Sequence, residues 1–387
     1  MSQGDSLTVK RALVTVVLLG SILAVITGCS LIQPPPPIAS MAWNIETIPL
    51  NIAASTYDPR RDVIWVATYN DGRIYQTKDG RQFELITTLP EPPFMVLRIF
   101  ISTNGAVFLG ALWPDGIYRS DDGISFHRID GVGGLPSCRS TWALCETENG
   151  ALFLGLYTAG LSEGIFMSTD RGRHWTNVFD PRSFWKGQYD FFHIQGLFYD
   201  HETAYIYATY GDGPPEVNGP EGIIRSEDNG DTWKIIHDTC KKWRYTTIFR
   251  FGDYIYIFDD STKTRSMKPR PAVVERFQDG GDDTVTVELV CRPSNNIGSV
   301  VHPGGATILH DMILYGTLFS KVSPGKAQIL CSKDGTNWEL IHETPYTEPV
   351  SGYYGFEHLT QGLDQQPNGF LLVGIRGEDY GLRIEPR

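Results

Sequence analysis

The sequence is short of basic residues, and this shortage excludes one class of partner. Lys and Arg together number 33 against 45 Asp and Glu, so the formal charge is −12 over 387 residues. A chain with an acidic excess has little positive charge with which to neutralise a phosphate backbone, so no nucleic-acid partner is expected. Disorder and a collagen-like structure are also excluded, because 41% of the residues are hydrophobic and only 20% are charged.

Glycine and aromatic residues, in contrast, are abundant. The chain has 40 Gly, 9 Trp, 18 Tyr and 19 Phe. Aromatic side chains suit the pleated surface of a strand, and glycine supplies the positive φ that tight turns need. The composition therefore indicates many short strands joined by tight turns, in one large all-β domain or two ordinary ones.

The first forty residues have the features of a targeting segment. A basic pair precedes an apolar run from Ala12 to Ile26, which is 15 residues long and too short to span a bilayer comfortably. The run ends in Ile26-Thr27-Gly28-Cys29, which resembles the lipobox of bacterial lipoproteins. The resemblance implies a signal peptide over residues 1–28, lipidation of Cys29, and a lipoprotein anchored to a membrane outside the cytoplasm. A plain secretory signal and an uncleaved anchor are the alternatives.

A stiff spacer follows the predicted lipidation site. Residues 34–37 are four consecutive prolines, which form an extended polyproline II segment of the kind that holds a domain away from a surface. We therefore predict a lipidated, Pro-rich tether over residues 29–41 and a folded domain over residues 42–387.

The cysteines of the domain fit no metal-binding spacing. They are Cys138, Cys145, Cys240, Cys291 and Cys331. An odd number in an oxidising compartment leaves at least one thiol outside any intramolecular disulfide. We expect buried thiols with at most one disulfide, for which Cys240 and Cys291 are the conceivable pair. No metal site and no cofactor is predicted.

Five segments of the domain repeat one another, and a repeat of this kind determines the fold class. In each segment a short strand-like run leads through Ser or Thr and then Asp into Gly, and an aromatic residue follows. The segments are residues 74–80, 117–123, 165–172, 223–230 and 329–335. Their aspartates are Asp79, Asp122, Asp170, Asp228 and Asp334, and the aromatic residues are Phe83, Phe126, Trp175, Trp233 and Trp338. We refer to these five segments as the acidic turns.

The acidic turns resemble a known repeat. Residues 226–233 fit the pattern Ser-x-Asp-x-Gly-x-Thr-Trp at every fixed position, and this pattern resembles the Asp-box, or bacterial neuraminidase repeat, of sialidase-like β-propellers. Ser and Asp can bond local backbone N–H groups in such a turn, and Gly can take a positive φ. The five aspartates are therefore expected to be structural residues of hairpin turns, and not catalytic or calcium-binding residues.

The spacing of the repeated aspartates predicts the number of blades. The intervals are 43, 48, 58 and 106 residues, so the last interval holds a hidden unit, with strand-like runs at residues 245–251, 254–258, 272–277 and 284–290. Three more strand-like runs follow the last acidic turn, and residues 43–48 resemble an outer strand. We predict an all-β, seven-bladed β-propeller closed by this N-terminal strand, with six blades as the alternative.

The predicted blades place two kinds of connection on opposite rims of the ring. Each blade consists of four antiparallel strands with the acidic turn between the third and fourth. The acidic turns then share one rim, the turn rim, with the short turns between the first and second strands. The longer connections lie on the other rim, the loop rim, and long loops on a rigid scaffold are the usual place for a ligand site.

The candidate site residues lie near the predicted mouth of the central channel. Two similar segments, residues 192–197 and 357–363, each place a His and a Gln there, either for a ligand or to bond exposed backbone at strand ends. Arg98, on an inner strand, needs an anionic partner in an apolar channel. The candidate catalytic residues are His193, His302, His358, Glu357 and Asp190. The candidate substrate-binding residues are Arg98, Trp142, Tyr189, Gln195, Tyr353 and Gln361.

Two functions are consistent with these features. Asp-box propellers are frequently carbohydrate-active, so the resemblance implies a tethered protein that binds glycans, with or without cleaving them as a glycosidase or polysaccharide lyase. A true sialidase is not expected, because Leu97-Arg98-Ile99-Phe100 has Phe where the family motif has Pro. The alternative is a non-enzymatic scaffold for a protein partner, similar to the lipidated seven-bladed factors that assist photosystem assembly. In either case we expect a monomer that contacts the membrane through its lipid anchor only.

Overall fold

The computed structural model describes residues 42–387 apart from 94, 138, 158–163, 187–192, 212–220, 239–244, 260–272, 292–298, 301–304, 321–325, 346–352, 362–368 and 377. The predicted signal peptide, Cys29 and the tether lie outside the described residues. Among the described residues no helix is long and apolar enough to cross a membrane. These residues include one short helix, α1 (Pro181–Phe184), whose N-cap residue Asp180 accepts a hydrogen bond from the backbone N–H of Arg182.

The described residues form seven antiparallel sheets, and each predicted blade corresponds to one sheet. The chain begins with β1 (Trp43–Ile48) and then forms the first blade from β2 (Ile52–Asp58), β3 (Val63–Thr68), β4 (Arg73–Thr77) and β5 (Glu84–Thr88). The second blade is β6 (Met95–Ile101), β7 (Val107–Leu112), β8 (Gly116–Ser120) and β9 (His127–Arg128). The third is β10 (Ser140–Glu146), β11 (Leu152–Tyr157), β12 (Ile165–Ser168) and β13 (Thr176–Phe179).

The fourth and fifth blades follow in the same order. The fourth is β14 (His193–Asp200), β15 (Tyr205–Gly211), β16 (Gly222–Ser226) and β17 (Lys234–Asp238). The fifth is β18 (Tyr245–Phe251), β19 (Tyr254–Asp259), β20 (Val274–Phe277) and β21 (Glu288–Cys291). This fifth blade is the hidden unit predicted between the last two acidic turns, so the prediction of four strands there is confirmed.

The sixth blade is built from strands close together in the chain, whereas the seventh also includes the first strand of the domain. The sixth blade consists of β23 (Ala306–Leu309), β24 (Met312–Gly316), β26 (Lys326–Ser332) and β27 (Glu339–Pro345). Two short strands that belong to the next sheet, β22 (Ser299–Val300) and β25 (Leu318–Ser320), occur in the chain before β23 and between β24 and β26. The seventh consists of β28 (Tyr353–Leu359), β29 (Leu371–Arg376), β30 (Gly381–Pro386) and β1, and β25 and β22 extend this sheet beyond β28.

The N-terminal strand closes the ring as predicted. Strand β1 pairs with β30 in antiparallel register from Trp43 opposite Pro386 to Ile48 opposite Gly381. On the inner side, Tyr57 N donates a hydrogen bond to Gln361 O at 2.9 Å, which joins the first blade to the seventh. The chain is therefore a seven-bladed β-propeller, and the six-bladed alternative is wrong.

The hydrophobic core lies between neighbouring blades, and the glycines of the acidic turns contribute to it. A Cβ added at Gly230 would lie 2.6 Å from the ring of Phe153, and one added at Gly172 would lie 2.6 Å from the ring of Phe108. Both glycines have positive φ, and each aromatic partner lies on the second strand of the preceding blade. The acidic turn of one blade therefore covers an aromatic side chain of the blade before it.

Each inner strand also approaches the preceding blade closely. A Cβ added at Gly110 of β7 would lie 1.7 Å from the carbonyl oxygen of Thr141, and one added at Gly374 of β29 would lie 2.2 Å from that of Ile52. Thr141 and Ile52 belong to inner strands of the following blades. Glycine is required at these positions because any side chain would push the blades apart.

Candidate functional site

The aspartates of the acidic turns bond to their own turns. In the fourth blade, Ser226 Oγ donates to Asp228 Oδ1 at 2.9 Å, Gly230 N donates to Ser226 Oγ at 2.8 Å, and Thr232 N donates to Asp228 Oδ1 at 2.8 Å. The other four turns have the same Ser or Thr hydroxyl bond to Asp and the same backbone N–H bonds to the Asp carboxylate. The carboxylate oxygens are thus occupied by bonds inside the hairpin.

These hydrogen bonds change the acidity of the turns. The backbone N–H groups of Gln82 and Arg81 lower the pKa of Asp79, and those of Ser125 and Ile124 lower the pKa of Asp122. Burial would raise the pKa values of Asp170, Asp228 and Asp334, but hydrogen bonds outweigh burial and lower all three. All five carboxylates therefore favour the charged form in the folded protein.

In the fifth blade a buried ion pair replaces the acidic turn. Arg225, on β16 of the fourth blade, bonds through Nη1 to Asp279, and both side chains are fully buried. Tyr207 Oη donates to Asp279 Oδ2 at 2.8 Å, and Gly281 N donates to Asp279 Oδ1 at 2.8 Å. Burial would lower the pKa of Arg225, but its bonds to Asp279 and Glu227 raise it. The fourth and fifth blades are thus joined by a network of ion pairs and hydrogen bonds around Asp279.

The central channel contains two adjoining cavities. The first, of about 320 Å³, is lined by the inner strands of the second to fifth blades and by Gln361. The second, of about 400 Å³, is lined by β2, β6, the turns that follow these two strands, and Gln361. They share four lining residues, Arg98, Phe100, Ile101 and Gln361. Cavities of this size fall within the range of small-ligand sites.

Arg98 is the arginine that lines both cavities. It lies in the middle of β6, its side chain is mostly buried, and its Nε atom is buried without a hydrogen-bond partner. No ion pair involves Arg98 among the part of the chain that the structure describes. Burial lowers the pKa of the Arg98 guanidinium to about 10, because the charged form loses water without gaining a partner.

The aromatic residues near Arg98 pack against one another. Trp142 and Tyr157 make an edge contact with ring centroids 4.4 Å apart, and Tyr157 and His193 lie 4.1 Å apart. Trp142 is 9% exposed and His193 is buried. Trp142 lines the first cavity, but its ring presents little free surface.

Gln195 and Gln361 both line the channel, at different depths. Gln195 is the third residue of β14 and lies toward the loop rim. Gln361 follows the end of β28, and its Nε2 donates to the carbonyl oxygens of Leu359 at 2.8 Å and Ala306 at 3.1 Å. Gln361 therefore lies toward the turn rim, so its predicted position at the loop-rim mouth is wrong.

The bulges in the inner strands show how the two segments align. The pairing shifts by one residue between Ile194 and Gly196 in β14 and between Phe356 and His358 in β28. The bulged residues are Gln195 and Glu357, so His358 occupies the position of Gly196, and not that of His193. The predicted equivalence of the two His and Gln segments is thus off by three residues for the His pair and by four for the Gln pair. In β6 the same shift falls between Val96 and Arg98, which gives His358 and Arg98 equivalent backbone positions.

Several predicted site residues cannot be placed. Tyr189, Asp190 and His302 lie outside the described residues, as do the side chains of Glu357, His358 and Tyr353. Cys138 and Cys240 also lie outside, whereas Cys145 and Cys331 are buried free thiols. Burial raises the pKa of Cys331 to about 12. Among the described residues no group of three or more His, Cys, Asp and Glu side chains could hold a metal ion.

Sequence reasoning missed the residues that line the channel toward the turn rim. Phe100 and Ile101 form apolar walls, Arg60 and Thr103 lie at the mouth, and Glu146 lies in the first cavity. Glu146 accepts hydrogen bonds from Thr103 N at 2.6 Å and from Thr103 Oγ1 at 2.7 Å. A signal was present, because an acidic residue ends the inner strands β2, β10 and β14 alike.

Comparisons with known proteins support the fold and no family. No protein-family model and no curated sequence matches the chain. A virginiamycin B lyase from Staphylococcus aureus superposes with a TM-score of 0.59 at 13% identity, over 90% of this chain and 100% of the lyase. The protein YCF48, in a structure described as bound to D1 peptide, gives 0.55 at 14% identity, over 92% of this chain and 100% of YCF48. The β-propeller domain of Myceliophteria thermophila Cps50 (Swd1) gives 0.56 at 9% identity, over 89% and 100%. At these identities the similarity is one of fold.

Proposed function

We propose that this chain is a non-catalytic, lipid-anchored propeller that binds an extended segment of a protein partner in its central channel, outside the cytoplasm. The observation that carries this proposal is Arg98, a buried cation with no partner among the described residues. An unpaired charge in a desolvated channel costs stability, and a ligand that supplies the opposite charge removes this cost.

The lining of the channel favours a peptide over a glycan. Its walls include Phe100, Leu144, Leu197, Ile248 and Phe249, which suit apolar side chains better than sugar hydroxyls. Sugar rings are commonly held by an open aromatic face, and Trp142 presents only 9% of its surface.

The titratable groups of the channel favour binding without chemistry. General acid and base catalysis on a glycan needs two suitably placed groups. Within the described part of the channel, Glu146 is the carboxylate, and both of its oxygens are bonded to Thr103. His193 packs against Tyr157 and does not line either cavity.

Known propellers of this fold include one described with a bound peptide. YCF48 is described as bound to D1 peptide, and by analogy we assign a peptide ligand to this chain. The resemblance of the acidic turns to the Asp-box supports a propeller similar to those of the sialidase-like superfamily.

Glycan binding is the second candidate function, and one observation favours it. Trp113 lies in the connection between β7 and β8 on the loop rim and is 61% exposed. An exposed indole on a loop rim is suited to stacking on a sugar ring.

A paired array experiment distinguishes the two functions. The folded domain, residues 42–387, is applied to a random-peptide array and to a glycan array, together with its Arg98→Ala and Trp113→Ala variants. We expect peptide signals that fall at least tenfold with Arg98→Ala and are unchanged with Trp113→Ala. Glycan signals that disappear with Trp113→Ala, in the absence of peptide signals, would establish the second function instead. Arg73→Ala, an exposed arginine of β4 on the first blade, is the matched control for loss of charge.

The anchor is tested separately. In the full chain expressed in a bacterial host, wild type is expected to sediment with membranes and to carry acyl groups detectable by mass spectrometry. Cys29→Ser is expected to abolish both. Acylation that persists in the Cys29→Ser variant would contradict lipidation at this residue.

A further inference from the structure

We infer that the channel binds the C-terminal carboxylate of the partner segment, and that this carboxylate enters from the turn rim and not from the loop rim. This inference rests on the proposed function, because it specifies which group of the peptide Arg98 holds and the side from which the peptide arrives.

The cavity at the turn rim opens to solvent. It is lined by Thr56, Pro59 and Arg60 from the first blade and by Ser102 and Thr103 from the second. Pro59, Arg60 and Thr103 are exposed, and they lie in the turns that follow β2 and β6, on the same rim as the acidic turns. The cavity continues inward to Arg98, Phe100 and Ile101. A ligand at this rim therefore has a continuous path to Arg98.

A second arginine lies at the mouth of this path. The side chain of Arg60 is 35% exposed, and its Nε lies 3.4 Å from Asp58 Oδ1. Asp58 has a shorter bond to Arg61, at 2.7 Å from Nη1 to Oδ2. The Arg60 guanidinium reaches over the neighbouring blade, since a Cβ added at Gly105 would lie 2.2 Å from Arg60 Nη1. Gly105 has φ +101°, so both its backbone and its lack of a side chain leave room for Arg60.

The charges along the path favour an anion at Arg98. Among the described residues, Glu146 is the carboxylate that lines these cavities, and it is bonded to Thr103. Asp58, which precedes the turn at the mouth, is bonded to Arg61 and to the backbone N–H of Arg60. Both arginines line the cavity at the turn rim. A carboxylate pairs with a guanidinium through two parallel hydrogen bonds, which makes it the natural partner of Arg98.

The topology of the site favours a chain end over an internal segment. The inner strands surround Arg98 in a closed ring, so a partner chain reaches it along the channel axis. An internal segment would have to enter as a hairpin, two chains thick, whereas a terminus enters as one. The terminal carboxylate is the anion that every polypeptide carries at one end, and Phe100 and Ile101 are placed to contact the side chain of the terminal residue.

The inference is tested with peptides that differ only in the terminal group. The probe is a pool of N-acetylated hexapeptides randomised at every position, made once with a free carboxylate and once as the amide. Retention by residues 42–387 is measured by affinity selection and mass spectrometry, and the dissociation constants of the best retained peptides by calorimetry. We expect the amides to bind at least tenfold more weakly than the free acids.

Variants assign this preference to the two arginines. Arg98→Ala is expected to remove the difference between acid and amide, and Arg98→Lys to restore part of it, because lysine keeps the charge without the bidentate geometry. Arg60→Ala is expected to weaken binding of the free acids about threefold, as for an exposed charge pair. Arg73→Ala is expected to change nothing.

A matched pair of variants tests the rim from which the peptide enters the channel. Pro59→Glu adds a negative charge at the turn rim, and Trp113→Glu adds one at the loop rim. We expect the first to weaken binding of the free acids and the second to leave it unchanged. The opposite result overturns the direction that we infer.

Failure of the inference can be distinguished from failure of the proposed function. Equal binding of acids and amides, with a loss in Arg98→Ala, overturns terminal-carboxylate recognition and leaves peptide binding intact. Retention of neither pool, with peptide signals on the array that depend on Arg98, also overturns it, because internal residues then supply the anion. No Arg98-dependent peptide signal in either experiment overturns the proposed function itself.

Discussion

At the junction between the fourth and fifth blades, Arg225 is fully buried and bonds to Asp279, Glu227 and the carbonyl oxygen of Asp282. In the channel, Arg98 is mostly buried and makes no ion pair with any described residue. The Nε atoms of both arginines are buried without a hydrogen-bond partner, so the difference lies in the ion pairs of Arg225. The two guanidinium groups also differ in pKa: the bonds to Asp279 and Glu227 raise the pKa of Arg225, and burial lowers the pKa of Arg98. At the junction the arginine has its ion pairs within the fold, whereas in the channel no described residue pairs with Arg98, and for this reason we propose that Arg98 binds a ligand.

Arginines also form hydrogen bonds across two other junctions between blades. Arg383 Nε donates to the carbonyl oxygen of Asp79 at 2.7 Å, and Arg119 Nε to that of Arg171 at 2.9 Å, in each case across to the next blade around the ring. A cation that holds two blades together has partners on both. Arg98 is mostly buried but makes no such bonds to the described residues, which fits the ligand-binding role that we propose for it.

The largest expected effect concerns the Arg225 junction. Asp279→Ala leaves Arg225 buried beside fewer partners, so we expect the free energy of unfolding to fall by about 3–5 kcal/mol. Equilibrium urea unfolding measures this. Asp283→Ala, at a carboxylate that is 95% exposed, is the matched control and is expected to change the free energy by less than about 1 kcal/mol. Equal losses in both variants would remove the distinction between the junction and the surface.

The second effect tests the packing of acidic turns on the preceding blade. Gly230 has φ +91°, and a Cβ there would lie 2.6 Å from the Phe153 ring. Gly252 has φ +56°, and nothing lies within 4 Å of its Cβ position. We expect Gly252→Ala to cost about 1–2 kcal/mol for backbone strain alone, and Gly230→Ala to cost about 1–3 kcal/mol more for overpacking. If urea unfolding gives the same loss for both, the turn does not hold the two blades together.

A smaller effect is expected from acid. The folded-state pKa values of the five acidic-turn aspartates lie below the ordinary value of 3.8. Their contribution to stability is therefore fully present above about pH 4 and is lost as the pH falls through the folded-state values. Urea unfolding between pH 6 and pH 3 should show this decline, with a shallower slope in Asp122→Asn. An unchanged slope in that variant would contradict a role for its N–H bonds.

The smallest expected change in the free energy of unfolding is that of a substitution at Arg98. Since no partner loses a bond, Arg98→Leu should leave the free energy of unfolding unchanged or raise it by about 1 kcal/mol. The same variant should abolish binding of the free-acid peptides. A marked loss of stability would instead place Arg98 among the structural arginines.

Much of the ring was predictable because the acidic turns and the strand-like runs around them are local signals. The pairing of residues 43–48 with the last blade followed from the absence of a fourth strand there. The Arg225–Asp279 pair was not predictable, since its members lie 54 residues apart and the turn of the fifth blade has lost the repeated pattern.

The channel lining was less predictable for a related reason. A bulge in an inner strand shifts every later residue to the other face, and alternation alone does not locate the bulge. The sequence interpretation aligned the two segments by residue type and not by the positions of their bulges, Gln195 and Glu357, so it matched His358 with His193 and set Gln361 at the wrong rim. The glycines of the second strands, such as Gly110 and Gly374, were the available signal, because each faces the next inner strand near its bulge.

The pairing of β1 with β30 has a consequence for biosynthesis. Trp43 and Pro386, which are opposite one another, are the first and last members of that ladder, so the first strand of the domain has no partner until its final strand has been made. A shortened chain would be left with two open sheet edges, both available for pairing with other copies. Completion of the polypeptide is thus the step that converts an open arc of sheets into a closed ring.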